Sequence, residues 1–422
     1  MSSAPAQTRC PYPLDGNATD IHGEAAALRA SGPAARVELP GGVPAWAVTD
    51  PHLIRRLLAH PRISKDAHRH WLAYLNGNLP VGWPLQMWVE SRSVQTAEGA
   101  EHGRLRRPLA PVFSARRVRG LAPRIEEITE ALLDDLGEAA AAAPDGVVDL
   151  RAYFAGRLPW AVVTTLLGLP EALHDGFRAV TDAAFATNLD HERATAIMAE
   201  DVRLLEDLIA IKTEHPRDDL VSALITAHRE GLYSERELAD SIQMLIGAGY
   251  GTTASMLDHA VVNLLTHPDQ LDMARSGQVP WDQVVEETLR HQAPVANFFM
   301  RFPTEDLYDE PTGLTFRQGD AIVINYAAAG RNATVHGDDA DLFDIARSTT
   351  GEHVAFGHGR HYCLGAELAR LEGRIALPAL FARHPGLELA VEPDRLAPLP
   401  SIISNGHQEI PVRLGENAGR PA

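Results

Sequence analysis

Residues 356–365 read FGHGRHYCLG, a thiol, Cys363, set among three glycines, two histidines and an arginine. A sulfur so placed can attack an electrophile or hold a metal. The run that follows, LGAELARLEGRIALPALFARH, carries Leu364, Leu368, Leu371, Ile375 and Leu377 at helical intervals, which puts Cys363 at a helix N-terminus. There, unpaired backbone N–H groups and the positive end of the dipole favour a thiolate. Gly357 and Gly359 allow close backbone approach, and Gly365 leaves room beside the sulfur for a flat group. Cys10 is the other cysteine of the chain, so a disulfide framework and a four-cysteine metal cluster are excluded by counting.

Three readings of the sulfur stand. It is a buried structural thiol, a nucleophile with His361 or His358 as base, or a single thiolate holding haem iron while His361 pairs with a haem carboxylate. Phe356, Gly359, His361, Cys363 and Gly365 fit the pattern Phe-x-x-Gly-x-(Arg or His)-x-Cys-x-Gly, and the stretch resembles the haem-binding signature of the cytochrome P450 family. The resemblance implies a mainly α fold with small β-sheets, haem b as cofactor, Cys363 as axial ligand, and Phe356, Gly357, His361 and Gly365 around the haem.

SERELADSIQMLIGAGYGTTASMLDHAVVNLLTHP opens with Ser234 and Glu237 as a capping box and stops at Pro268, predicting one long helix. Gly247, Gly249 and Gly251 weaken its middle, and Thr252 and Thr253 can bond back to the preceding turn. A close helix crossing would also explain the glycines. By resemblance this is the oxygen-binding groove: Ala248 contacts the haem, Thr252 handles dioxygen, and Gly251 stands where the family carries an acid. The missing carboxylate puts the proton relay in question and makes oxidative coupling or desaturation, without oxygen insertion, the alternative to hydroxylation.

Glu287 and Arg290 lie three apart on a predicted helix, spacing that by itself indicates a modest ion pair. They resemble the family's structural pair, with Arg347 as its third member. His102 and Arg106, i and i+4 on one helix face, match the haem propionate ligands, and Arg301 matches another. Arg104, Arg107, Arg116 and Arg117 could face an acidic electron donor, a ferredoxin or flavodoxin with its reductase. The resemblance draws the substrate pocket from Val94, Gln95, Gln243, Gly247, Val295, Asn297 and Ile402. Its amide groups suit a macrolide, cyclic peptide or steroid-like metabolite.

The elements that must position these residues are mostly helices, with a strand pair in VELPGGVPAWAVTD and a second expected in LTFRQGDAIVINY about Gln318, Gly319 and Asp320. Residues 75–100 read as a long loop. Residues 1–20 read as a flexible N-terminal segment and 21–422 as a single haem-thiolate catalytic domain. The 422 residues carry 38 Lys+Arg against 56 Asp+Glu, a formal charge of −18, which opposes nonspecific binding to nucleic acid or anionic membrane. Lysine occurs only at Lys65 and Lys212. No apolar signal-peptide core or bilayer-length stretch is present, so a cytoplasmic location is expected.

Overall fold

The computed structural model of the chain describes residues 10–189 and 191–415. Its β part is led by a six-stranded sheet ordered Tyr12–Pro13, Ala34–Leu39, Val43–Val48, Ile322–Asn325, Asn297–Pro303, Ile63–Ser64. The central hairpin forms because Gly41 and Gly42 both take positive φ, 85° and 77°, as a tight turn between right-twisted strands requires. Val37, Leu39, Val43, Ala45 and Ala47 then alternate into the core.

Two expectations change here. Residues 10–20 are part of the folded body: Tyr12 pairs with Val37 at the sheet edge, and Leu14 and Ala18 are buried. The polar composition hid a local device, because the Asp15 carboxylate accepts from the Asn17 and Thr19 backbone N–H and from the Thr19 hydroxyl. The flexible segment expected over residues 1–20 therefore does not hold from Tyr12 onward, and residues 1–9 lie outside the described residues. The strands of LTFRQGDAIVINY do not pair with each other either. Leu314–Phe316 pairs with Leu307–Asp309, while Ile322–Asn325 enters the main sheet, parallel to Val43–Val48 and antiparallel to Asn297–Pro303. A hairpin reading uses neighbours in sequence, and here burial of all four residues Ile322–Asn325 wins.

The rest is helical. Helix Glu235–Thr266 is closed at its start by the reciprocal Ser234–Glu237 capping box and spans 32 residues, about 48 Å at 1.5 Å per residue. Its C-terminal half is buried from Thr253 to Leu264 against Trp281–His291 and Ala366–Arg383. Its N-terminal half crosses Arg157–Leu167 so closely that a Cβ on Gly249 would stand 2.8 Å from Val163 Cγ2. That glycine is a crossing point. The 75–100 segment is largely irregular but contains the short helix Gln86–Glu90, and Gly99 begins helix Gly99–Arg106. Among the described residues, no helix is long and apolar enough to cross a membrane.

Candidate active site

Cys363 precedes helix Ala366–Arg383, and its backbone N–H donates to Phe356 O at 3.0 Å, closing the loop that carries it. Gly359 takes φ +71° there, and a side chain would bring its Cβ to 2.9 Å from Leu58 O. The backbone N–H groups of Gly365 and Ala366 donate to the sulfur. Burial raises the thiol above its ordinary range, and these amides with the Arg106 and Arg370 cations offset it only in part. The helix terminus alone therefore does not yield a free thiolate, and His361 and His358 do not supply a base. His361 Nε2 lies 2.8 Å from Glu98 Oε1, and His358 is exposed. A nucleophilic cysteine is thus disfavoured, whereas a metal would hold the sulfur deprotonated.

The accessible face of Cys363 opens inward, onto a cavity of about 710 Å³ bounded on another side by the long helix. Gly247, Ala248, Gly249, Thr252 and Thr253 line it. Thr252 Oγ1 donates to Ala248 O at 2.8 Å, which leaves the oxygen's lone pairs as acceptors. Gly251 does not line the cavity. Its Cβ position faces the Phe185 ring at 3.6 Å, so the position where the family carries an acid is here an apolar contact on the helix flank.

Below Thr252, positive groups converge. Arg106, Arg301, His361 and Lys65 border the cavity, and Arg301 and Lys65 are both buried. Burial lowers Arg301 to about 10. Glu98, the acid among them, is engaged by His361 and, at 3.6 Å, by Arg360. His102 packs its ring 4.4 Å from that of His361, and its Nε2 has no hydrogen-bond partner. Burial first and Arg106 second lower His102 to about 4. A thiol held by two amides, a flat glycine-lined approach and buried cations in excess of acids are what a metal porphyrin with two carboxylates requires, and the residues fit haem.

Comparison with known proteins agrees. Residues 281–387 match the family model "Cytochrome P450". The chain is 41% identical over 406 residues to 2-hydroxy-5-methyl-1-naphthoate 7-hydroxylase of Streptomyces carzinostaticus, covering 96% of this chain and 98% of that one. The chain belongs to the cytochrome P450 family. It is 39% identical to the P450 monooxygenase PikC of Streptomyces venezuelae over 96% of this chain and 94% of the other. The solved structure of CYP154A1 from Streptomyces coelicolor A3(2) superposes with a TM-score of 0.90 at 46% identity, covering 96% of this chain and all of that one. The fold is accordingly the mainly α P450 fold, and the protein is a monooxygenase-type oxidoreductase.

The remaining candidates divide. Arg290 grips Glu287 through two 2.7 Å bonds, and Arg347 Nε lies 3.8 Å from Glu287, so the trio comes together in this P450. Arg104 is not free to face a donor protein, since it is pinned to Glu237 at 2.5 Å and to Glu101. Arg107, Arg116 and Arg117 are exposed. Val94, Gln95, Gln243 and Val295 line the cavity along with Gly247, but Asn297 and Ile402 do not. The Asn297 amide donates to Ile402 O at 2.8 Å, and Ile402 packs in the core, while the next residue, Ile403, faces the cavity. Sequence reasoning missed Ile403, Tyr326, Glu98, Glu372 and Lys65. For Lys65 a signal existed, since a chain that uses arginine almost throughout keeps a lysine there.

Proposed function

We propose that this P450 hydroxylates an organic metabolite of macrolide, cyclic-peptide or steroid-like size, using haem b held by Cys363 and electrons from a separate ferredoxin or flavodoxin with its reductase. One observation carries the reading: the Cys363 sulfur and the Thr252 hydroxyl face one cavity of about 710 Å³, large enough for cofactor and substrate together. When bound, haem with a thiolate ligand supplies reductive activation of dioxygen.

The chain's own groups do the positioning. The Gly365 and Ala366 amides orient the sulfur, and Arg106 and Arg301, with His361 backed by His102, would pair the cofactor's carboxylates. Thr252, its proton engaged by Ala248 O, offers Oγ1 as an acceptor that can retain a proton near the oxygen site. Gln95 and Gln243 present amides to a wall otherwise built from side chains such as Val94, Leu205 and Met244; Gln243 Oε1 has no hydrogen-bond partner among the described residues and is available to a substrate hydroxyl or N–H. Exposed Arg107, Arg116 and Arg117 suit an acidic electron donor.

Gly251 favours a second reading, oxidative coupling or desaturation, because no carboxylate stands at that helix position. The test is spectroscopic first. The reduced, carbon-monoxide-bound protein is expected to show the strongly red-shifted band of thiolate ligation, and Cys363→Ala to lose it. An unchanged spectrum in the variant overturns the reading. Product masses with a surrogate ferredoxin system then separate oxygen insertion from coupling.

A further inference from the structure

Lys65 follows strand Ile63–Ser64, whose register against Asn297–Pro303 is Ile63↔Pro303 and Ser64↔Phe302. One residue further along that register sets Lys65 opposite Arg301. Like charges facing across a strand pair repel, and both of these side chains are buried, at 4% exposure each. Neither has a carboxylate within 4.0 Å among the described residues, whereas the other lysine, Lys212, is ion-paired to Asp219 at 2.5 Å. The Lys65 ammonium instead rests over the Phe298 ring at 4.2 Å, and Arg301 lies 5.7 Å from the same ring. Both residues border the cavity. An aromatic face does not neutralise two buried cations. Glu98, the acid that acts on both, is already engaged by His361 and Arg360, so the pair lacks an anion of its own among the described residues.

We propose that Lys65 is a carboxylate-binding residue of the cavity, pairing together with Arg301 to a propionate of the cofactor. The inference rests on the haem reading above and adds a cation that the sequence comparison with the family signature did not supply. A substrate carboxylate would offer the same chemistry. The cofactor is favoured because the Phe298 ring under Lys65 stacks on Tyr326, whose hydroxyl lies 3.4 Å from a Cβ built on Gly357 in the Cys363 loop.

The experiment compares the ferric holoprotein with Lys65→Met and Lys65→Arg. Haem transfer to excess apomyoglobin is expected to be about tenfold faster in Lys65→Met, the loss of roughly one charge-assisted hydrogen bond, and near the parent rate in Lys65→Arg. The ferric/ferrous potential of Lys65→Met is expected to fall, since a cation near the cofactor is gone. With haem in excess, the urea stability of Lys65→Met is expected to fall by no more than about 1.4 kcal/mol, which tenfold weaker haem binding accounts for, and that of Lys65→Arg to stay near the parent's. Faster haem loss matched by an equal fall of the urea midpoint in both variants would mark Lys65 as structural and overturn the proposal. So would parent-like haem transfer and potential in Lys65→Met. Spectral titration with 1-naphthoate and its methyl ester separates the sources: weakened naphthoate binding alone, with haem retention unchanged, assigns Lys65 to substrate and overturns it too. A parent protein that takes up no haem sinks the proposed function itself; a loaded parent with an indifferent Lys65→Met sinks only this step.

Discussion

Arg290 Nε and Nη2 each lie 2.7 Å from a different oxygen of Glu287, and neither side chain reaches solvent. The remaining Arg290 donors are spent on the carbonyls of Gly330, Ala340 and Leu342, so one guanidinium ties helix Trp281–His291 to the chain leading into the Cys363 loop. Removing the carboxylate leaves Arg290 and Arg347 buried without their shared anion. Glu287→Gln is therefore expected to cost about 3–5 kcal/mol. Urea denaturation checks it, and a loss under about 1 kcal/mol would show that the trio is dispensable.

Glu372 is the opposite case. It is buried, its Oε2 has no partner, and burial alone raises its carboxyl well above the ordinary 4.5. A group whose folded pKa is raised binds its proton in the native state and loses it in the unfolded chain. Its contribution is thus fully present below about pH 4.5 and declines as pH rises towards the folded value, by up to about 1.4 kcal/mol per unit. Glu372→Gln, neutral at every pH, is expected to gain stability over the parent at pH 8 and to match it at pH 4.5. Urea midpoints at the two pH values check the sign; an equal difference at both would show that the carboxyl does not titrate between them.

What could be read in the sequence was whatever is local. The Ser234–Glu237 box, the Gly41–Gly42 turn and the spacing of His102 from Arg106 are set by residues within four positions, and the structure places each where the spacing put it. The Cys363 signature is equally local, and it led to the family. What failed depends on distant partners. Ile322–Asn325 pairs with strands far away in sequence, Arg104 meets Glu237 across 133 residues, and the Ile402–Ile403 exchange depends on which residue of a bent segment meets the cavity. Lys65 stood out in composition alone, and its meaning lies in facing Arg301.

Gly249 and Gly247 share the long helix but not the consequence of gaining a methyl group. A Cβ at Gly249 meets Val163 Cγ2 at 2.8 Å, whereas at Gly247 the nearest atom is Phe185 Cε2 at an ordinary 3.6 Å. Gly249→Ala is expected to lose about 1–3 kcal/mol by overpacking, against the gain in helix propensity, and Val163→Ala in the same chain to restore most of it. Gly247→Ala is expected to be neutral or stabilising by up to about 1 kcal/mol. Thermal midpoints of the three variants and the parent check this, and equal effects at the two glycines would refute the crossing-point assignment.

Thr252 Oγ1 gives its proton to Ala248 O and borders the cavity, so the role proposed for it is that of an acceptor that would steady a proton near the oxygen site. Serine preserves that oxygen and alanine deletes it. With no acid at Gly251 to share the task, Thr252→Ala is expected to divert reducing equivalents to hydrogen peroxide, lowering product per NADPH by about tenfold, the worth of one hydrogen bond of about 1.4 kcal/mol. Thr252→Ser is expected to remain within about threefold of the parent. Peroxide and product quantified together, with NADPH consumption held constant, read the partition directly. Unchanged coupling in Thr252→Ala would mean that the proton is handled elsewhere on the cavity wall, and it would turn attention to Glu372, the buried carboxylic acid that borders the same space.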